Sequence, residues 1–357
     1  MTQRLALLVG TPKGAFILDG DAGRRDWELR GPLCEGWPVH DISVEPSSGA
    51  FLAGAGSPWY GPAVWRSDDA GHTWSHSSEG LTYGDDGPKV KTVWNVTATD
   101  GVIYAGVEPA GLFRSRDKGA TWEHVAGLTD HPTRPEWQAG NGGLILHSIV
   151  PHRTDPDRVW VGISAVGAFE TQDGGRTWET RNKGVRADFH PDKYPDFGQC
   201  VHKLVMAADG GEHLYQQNHC GVYRSSNGGR AWEEITGSLP SQFGFPMAVH
   251  PRDPGTAWTI PLTDADKGRY MPDASAAVWA THDGGDSWAR SGDGLPEHGA
   301  FVGVLREAMA VDRLDPVGVY FGTSTGQVYG SRDEGRSWKL VADNLPPIWS
   351  VEAAVID

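Results

Sequence analysis

The sequence predicts an all-β fold: a seven-bladed β-propeller whose ring is closed by its two chain ends. Three observations predict it. An eight-residue segment recurs six times, a degenerate seventh copy lies near the N-terminus, and a C-terminal segment supplies the strand that this copy lacks. The six segments are "SDDAGHTW" (67–74), "SRDKGATW" (115–122), "TQDGGRTW" (171–178), "SSNGGRAW" (225–232), "THDGGDSW" (281–288) and "SRDEGRSW" (331–338). Their starts are 48 to 56 residues apart, about the length of one four-stranded blade.

Each segment follows a short apolar run such as "AVW", "GLF" or "GVY", which reads as the third strand of a blade. The segment itself reads as the turn into the fourth. Ser or Thr opens it, Asp or Asn at the third position can fold back onto backbone N–H groups, and Gly at the fifth permits positive φ. The closing Trp is large enough to plug the blade. The degenerate copy, "DGDAGRRDW" (19–27), lies in "LALLVGTPKGAFILDGDAGRRDWEL", which matches "GVYFGTSTGQVYGSRDEGRSWKL" near the C-terminus. Residues 1–30 are therefore expected to give strands two to four of one blade. Residues 347–357, with "IWSVEAAVI", are expected to give its first strand. Closure of this kind leaves no free sheet edge, so residues 1–357 read as one propeller.

The eight-residue segments resemble the BNR or Asp-box repeat, S-x-D-x-G-x-[TS]-W, of sialidases, sortilin-type receptors, tandem-propeller glucanases and photosystem assembly factors. The resemblance spans the whole chain. It implies the fold but not the activity, because the repeat is structural. The sialidase catalytic set would require an N-terminal F/Y-R-I-P, three carboxylate-clamping arginines and a Tyr/Glu nucleophile pair. No F/Y-R-I-P is present, and "GRYMP" (268–272) is a poor stand-in.

Composition narrows the partners. A formal charge of −15 over 357 residues disfavours phosphate-backbone binding and anionic membrane surfaces. Neither a nucleic acid nor a membrane is expected as a partner. The N-terminus lacks the features of a signal peptide. The three cysteines (Cys34, Cys200, Cys220) cannot all pair with one another, so a reduced, cytoplasmic setting is expected.

The site is expected at the top of the central channel, where first strands begin and second-to-third turns lie. Aligned first strands read "VHDISV", "VWNVTA", "LHSIV", "VHKLV", "FPMAV", "LREAMAV" and "IWSVEAA". One slot is assigned to His40, Asn95, His147, His202, Met247 or Pro246, Arg306 and Ser350. The matching turns place Glu108, Ser164, His219 and Ser324 together. The polar run in "LYQQNHCGVY" (214–223) thus reaches the rim, where unpaired burial would cost roughly 1–3 kcal/mol per group.

From this comes the expectation of a divalent metal, zinc first, held by His40, His147, His202 and His219. Glu108, His219 and Arg306 are the candidate catalytic groups. Asn95, Gln216, Gln217, Asn218, Trp59, Tyr60, Arg134, Arg186 and Tyr194 are candidate contacts for a small polar or anionic substrate. Long top loops, such as residues 185–200 and 261–275, would cap it. Cys200 or Cys220 beside a histidine could serve as a thiol nucleophile, or simply as a small buried residue.

The expected function is a metal-dependent hydrolase or lyase. One alternative is a non-catalytic binding or assembly propeller. The other is a glycoside hydrolase, which needs two carboxylates roughly 5–9.5 Å apart. Glu108 and Glu307 are its rim candidates, although strand alternation points Glu307 away from the face of Arg306.

Overall fold

Short apolar runs bounded by glycine turns become seven antiparallel four-stranded sheets in a computed structural model, which describes residues 3–99 and 101–356. The innermost strands are Val39–Val44, Thr92–Thr99, Leu146–Pro151, Val201–Met206, Gly244–Val249, Met309–Val311 and Ser350–Ile356. They ring the channel in chain order. The closing blade has the order expected: Ser350–Ile356 pairs with Arg4–Thr11, followed by Gly14–Asp21 and Trp27–Leu33. Its register runs from Arg4 opposite Ile356 to Gly10 opposite Ser350. Residues 4–10 therefore sit in a strand paired on both sides.

The repeated turn closes as its chemistry requires. Ser67 Oγ donates to Asp69 Oδ1 at 2.8 Å and accepts the Gly71 N–H at 2.8 Å. Asp69 also accepts the Thr73 N–H at 2.8 Å and its hydroxyl at 2.6 Å. The pattern recurs around Asp117, Asp173, Asp283 and Asp333. At the fifth position Gly71 has φ +81° and Gly285 φ +100°, backbone that a side chain would strain. Trp122, Trp178, Trp232, Trp288 and Trp338 end their segments almost fully buried.

The blades are bolted together by groups that cross between them. Trp160 Nε1 donates to Gly228 O at 2.9 Å, and Trp258 Nε1 to Glu334 O at 3.3 Å. Glu170, with no exposed side-chain surface, takes Arg158 at 2.5 Å and Arg181 at 2.6 Å within its own blade, and Arg158 reaches Glu212 of the next at 2.8 Å. Desolvating one carboxylate is tolerable only because two guanidinium groups compensate it.

A local irregularity sets up the site. Five inner strands carry a register shift near their top, at Val39/Asp41, Val93/Asn95, Leu146/Ser148, Val201/Lys203 and Gly244/Met247. Such a bulge adds one residue and re-aims its side chain. The bulged residues are His40, Trp94, His147 and His202, with Phe245 and Pro246 in the fifth strand. His40, His147, His202 and Pro246 are bulged as assigned. Trp94 takes the place assigned to Asn95, and Phe245 shares the fifth shift with Pro246.

Candidate functional site

The bulged residues and the second-to-third turns meet in a funnel of about 1280 Å³ at one mouth of the channel. Its walls are aromatic: Trp94, Trp137 and Trp349 together with Phe189, Phe197, Phe243 and Phe245. His40 is stacked between Trp349, 4.6 Å away at 21°, and Trp94, 4.4 Å away. Burial lowers its pKa to about 4, so the ring is neutral and part of the wall.

Polar groups enter at defined points. Arg306 reaches the funnel 5.5 Å from the Phe245 ring, and its buried Nε lacks a hydrogen-bond partner. Glu307 also lines the funnel. Its Oε2 is ion-paired with Lys203, while Oε1 is buried without a partner. The expectation that alternation would turn Glu307 away from the face of Arg306 therefore fails. Its strand is irregular here, and Glu307 bridges in parallel to Ser350 instead of continuing a regular ladder. The rim carboxylates Glu136, Asp192 and Asp196 sit on the long loops and are exposed.

Below the funnel the channel is filled by an acidic group around Lys203. Asp41 accepts Asn95 Nδ2 at 2.7 Å and the Val96 N–H at 2.9 Å. Burial raises the Asp41 carboxyl well above the usual range; Glu307 reinforces this and Lys203 opposes it. Burial pushes Glu352 up to about 7, against the pull of Lys203 and Arg313.

The expected histidine trio does not form one ligand set. His147 lies fully buried between blades. Its Nε2–H donates to Val201 O at 2.9 Å and its Nδ1 accepts the Ser148 hydroxyl at 3.1 Å, so neither nitrogen is free. His40 is occupied by stacking. His202 and His219 do meet, with ring centroids 5.6 Å apart, and Cys200 joins them.

The polar run that reaches the rim resolves differently along its length. Gln216, Gln217 and Asn218 are buried in the strand Leu214–Asn218. Gln217 is held by Gln242 O and the Thr259 hydroxyl, and Asn218 by Gln216 and the Cys220 N–H. Gln217 is thus tied to neighbouring segments and Asn218 to its own strand and turn, while Gln216 Nε2 is buried without a partner; His219 alone of that run lines the funnel.

Other expected contacts also lie elsewhere. Glu108 binds Lys91 at 2.8 Å and Trp94 Nε1 at 3.3 Å, so it braces a wall residue. Asn95 serves Asp41. Arg134 donates to Ala110 O and covers Trp137 at 4.7 Å. Arg186 straps Cys220 O to Gln242 and Glu234. Trp59 is 92% exposed and Tyr60 stacks on Trp37 at 4.5 Å, both outside the funnel. Tyr194 is exposed beside the lining residues Pro195 and Asp196.

Sequence reasoning missed Trp94, Trp349 and Phe245 as site residues. The signal for two of them was present: the second position of the aligned strands reads His40, Trp94, His147, His202 and Trp349.

No family model matches the chain. It is 27% identical over 264 residues to a xyloglucanase from Paenibacillus sp, covering 66% of this chain and 24% of that protein. It is 26% identical over 215 residues to an oligoxyloglucan-reducing end-specific xyloglucanase from Emericella nidulans, covering 52% of this chain and 25% of the relative. Among solved structures, the GH74 xyloglucanase from Xanthomonas campestris superposes with a TM-score of 0.67 at 18% identity, covering 95% of this chain and 52% of the other. YCF48 bound to D1 peptide superposes with a TM-score of 0.55 at 14% identity, covering 85% and 83%. The chain thus spans a quarter of the length of these two sequence relatives and about half of the GH74 structure. The likenesses to solved structures show the shared propeller fold.

Proposed function

We propose that the chain is a carbohydrate-active propeller of glycoside-hydrolase type, with the aromatic funnel as its sugar-binding cleft. The observation that carries this reading is a wall of tryptophan and phenylalanine rings around a buried carboxylate with one unpartnered oxygen, Glu307. Sugar rings present apolar C–H faces that stack on aromatic surfaces, while their hydroxyls need polar partners at the edges. The sequence likeness to xyloglucanases supports a β-glucan chain such as xyloglucan as the substrate class. This reading replaces the metal-dependent hydrolase acting on a small polar substrate, which the comparisons do not favour.

In this reading Glu307 acts as the negatively charged partner, because its ion pair with Lys203 suits a nucleophile or base better than a proton donor. A carboxyl from the capping loops, Asp192 or Asp196, would protonate the leaving oxygen when a substrate closes the cap. Arg306 would hydrogen-bond substrate oxygens through its unpartnered Nε.

Reducing ends released from xyloglucan and other β-glucans test the proposal. Wild type should release them, and Glu307→Gln should lower the rate by at least about a hundredfold. A wild-type protein that cleaves no β-glucan, or a Glu307→Gln variant with unchanged rate, removes the hydrolase assignment.

A further inference from the structure

We propose that Cys200, His202 and His219 form a transition-metal site, selective for zinc-like ions, at the floor of the funnel. The proposal does not depend on the sugar-binding reading. The Sγ of Cys200 and one nitrogen of each histidine lie within 4.8 Å of one another, the one such grouping among the described residues. Zinc holds sulfur at about 2.3 Å and nitrogen at about 2.0 Å, so the three donors need to close by roughly 1 Å. A small rotation of the half-buried His219 side chain would supply this.

The supporting contacts prepare each donor. His202 Nδ1–H donates to Gly244 O at 2.5 Å, which leaves the Nε2 lone pair as the free one. That backbone bond fixes the tautomer, as at ligating histidines generally. The His219 side chain accepts no bond from the described residues, while its backbone N–H binds Cys200 O at 2.9 Å and ties the two ligands together. The thiol of Cys200 lies beside the Ala165 backbone and the Ser164 hydroxyl.

One thiolate and two neutral imidazoles favour zinc or cobalt over calcium or magnesium. Binding displaces the thiol proton to solvent and forms a metal–sulfur bond. The fourth position faces the funnel, where water or an anionic oxygen would bind. Arg306 and Arg269 also line the funnel and would favour an anion there.

Cobalt(II) titration of the full chain, produced without a histidine tag and stripped with chelator, tests the site. One equivalent should bind with a thiolate-to-cobalt charge-transfer band in the near ultraviolet, and one equivalent of zinc should abolish it. Cys200→Ser should lose the band, and His219→Ala should weaken binding at least tenfold. His190→Ala, which alters the funnel wall outside the cluster, should do neither. Circular dichroism and thermal unfolding confirm that each variant folds; should Cys200→Ser fail to fold, the turn variant His219→Ala decides. Absence of the band in wild type, or cobalt binding unchanged in a folded Cys200→Ser or His219→Ala variant, overturns the proposal.

Discussion

Replacing Glu352 with glutamine should flatten the dependence of stability on pH. Glu352 lies in the inner strand Ser350–Ile356, within the acidic group beneath the funnel. Burial raises its carboxyl from 4.5 to about 7, with Lys203 and Arg313 opposing the shift. Between those values the folded protein keeps a proton that the unfolded chain has released. Raising the pH through that window therefore weakens the fold. The loss is about 1.4 kcal/mol per pH unit, or about 3 kcal/mol across the window. The contribution is fully favourable below about pH 4.5 and gone above about pH 7.

Glu352→Gln removes the titration while keeping the shape. Urea unfolding followed by tryptophan fluorescence should find the variant close to wild type near pH 4.5. At pH 8 it should be more stable than wild type by up to about 3 kcal/mol. A smaller slope should persist, because burial also raises the Asp41 carboxyl. A variant that keeps the full wild-type slope would refute the assignment of the proton to Glu352.

Glu170→Ala removes the buried partner of Arg158 and Arg181, leaving them only the exposed Glu212 and Glu179, and should cost about 3–5 kcal/mol, read as a lower urea midpoint. Ser115→Ala removes the hydroxyl that accepts the Gly119 N–H at 2.8 Å and should cost about 1–2 kcal/mol in the same measurement. Asp117 and Asp173 are held down to about 2 by their turn hydrogen bonds, so the stability they contribute is present above about pH 4. It should fall away as the pH drops towards 2, visible as an acid limb separate from the Glu352 window.

The blade plan was legible because the turn segment needs particular residues at particular positions, and Gly71, Asp69 and Trp122 cannot be exchanged freely there. Ring closure was legible for the same reason: the two chain ends are complementary fragments of one repeat. The site was less legible. Strand alternation assumes an unbroken ladder, and each bulge inserts a residue that changes which side chain enters the funnel. This is why Asn95 gave way to Trp94. His147 shows a second limit, because a bulged histidine can turn sideways into the next blade when a carbonyl such as Val201 O offers it a bond. Gln216, Gln217 and Asn218 resembled ligand contacts because polar residues on a strand need partners, and nothing in one sequence reveals that those of Gln217 are Gln242 and Thr259.

Calorimetric titration of a xyloglucan-derived oligosaccharide into wild type and Trp349→Ala examines the funnel most directly. Saturable binding by wild type, weakened about tenfold when the ring that stacks on His40 is removed, is the predicted result. No binding by wild type, or equal affinity in the two proteins, would contradict a sugar-binding role for the aromatic wall.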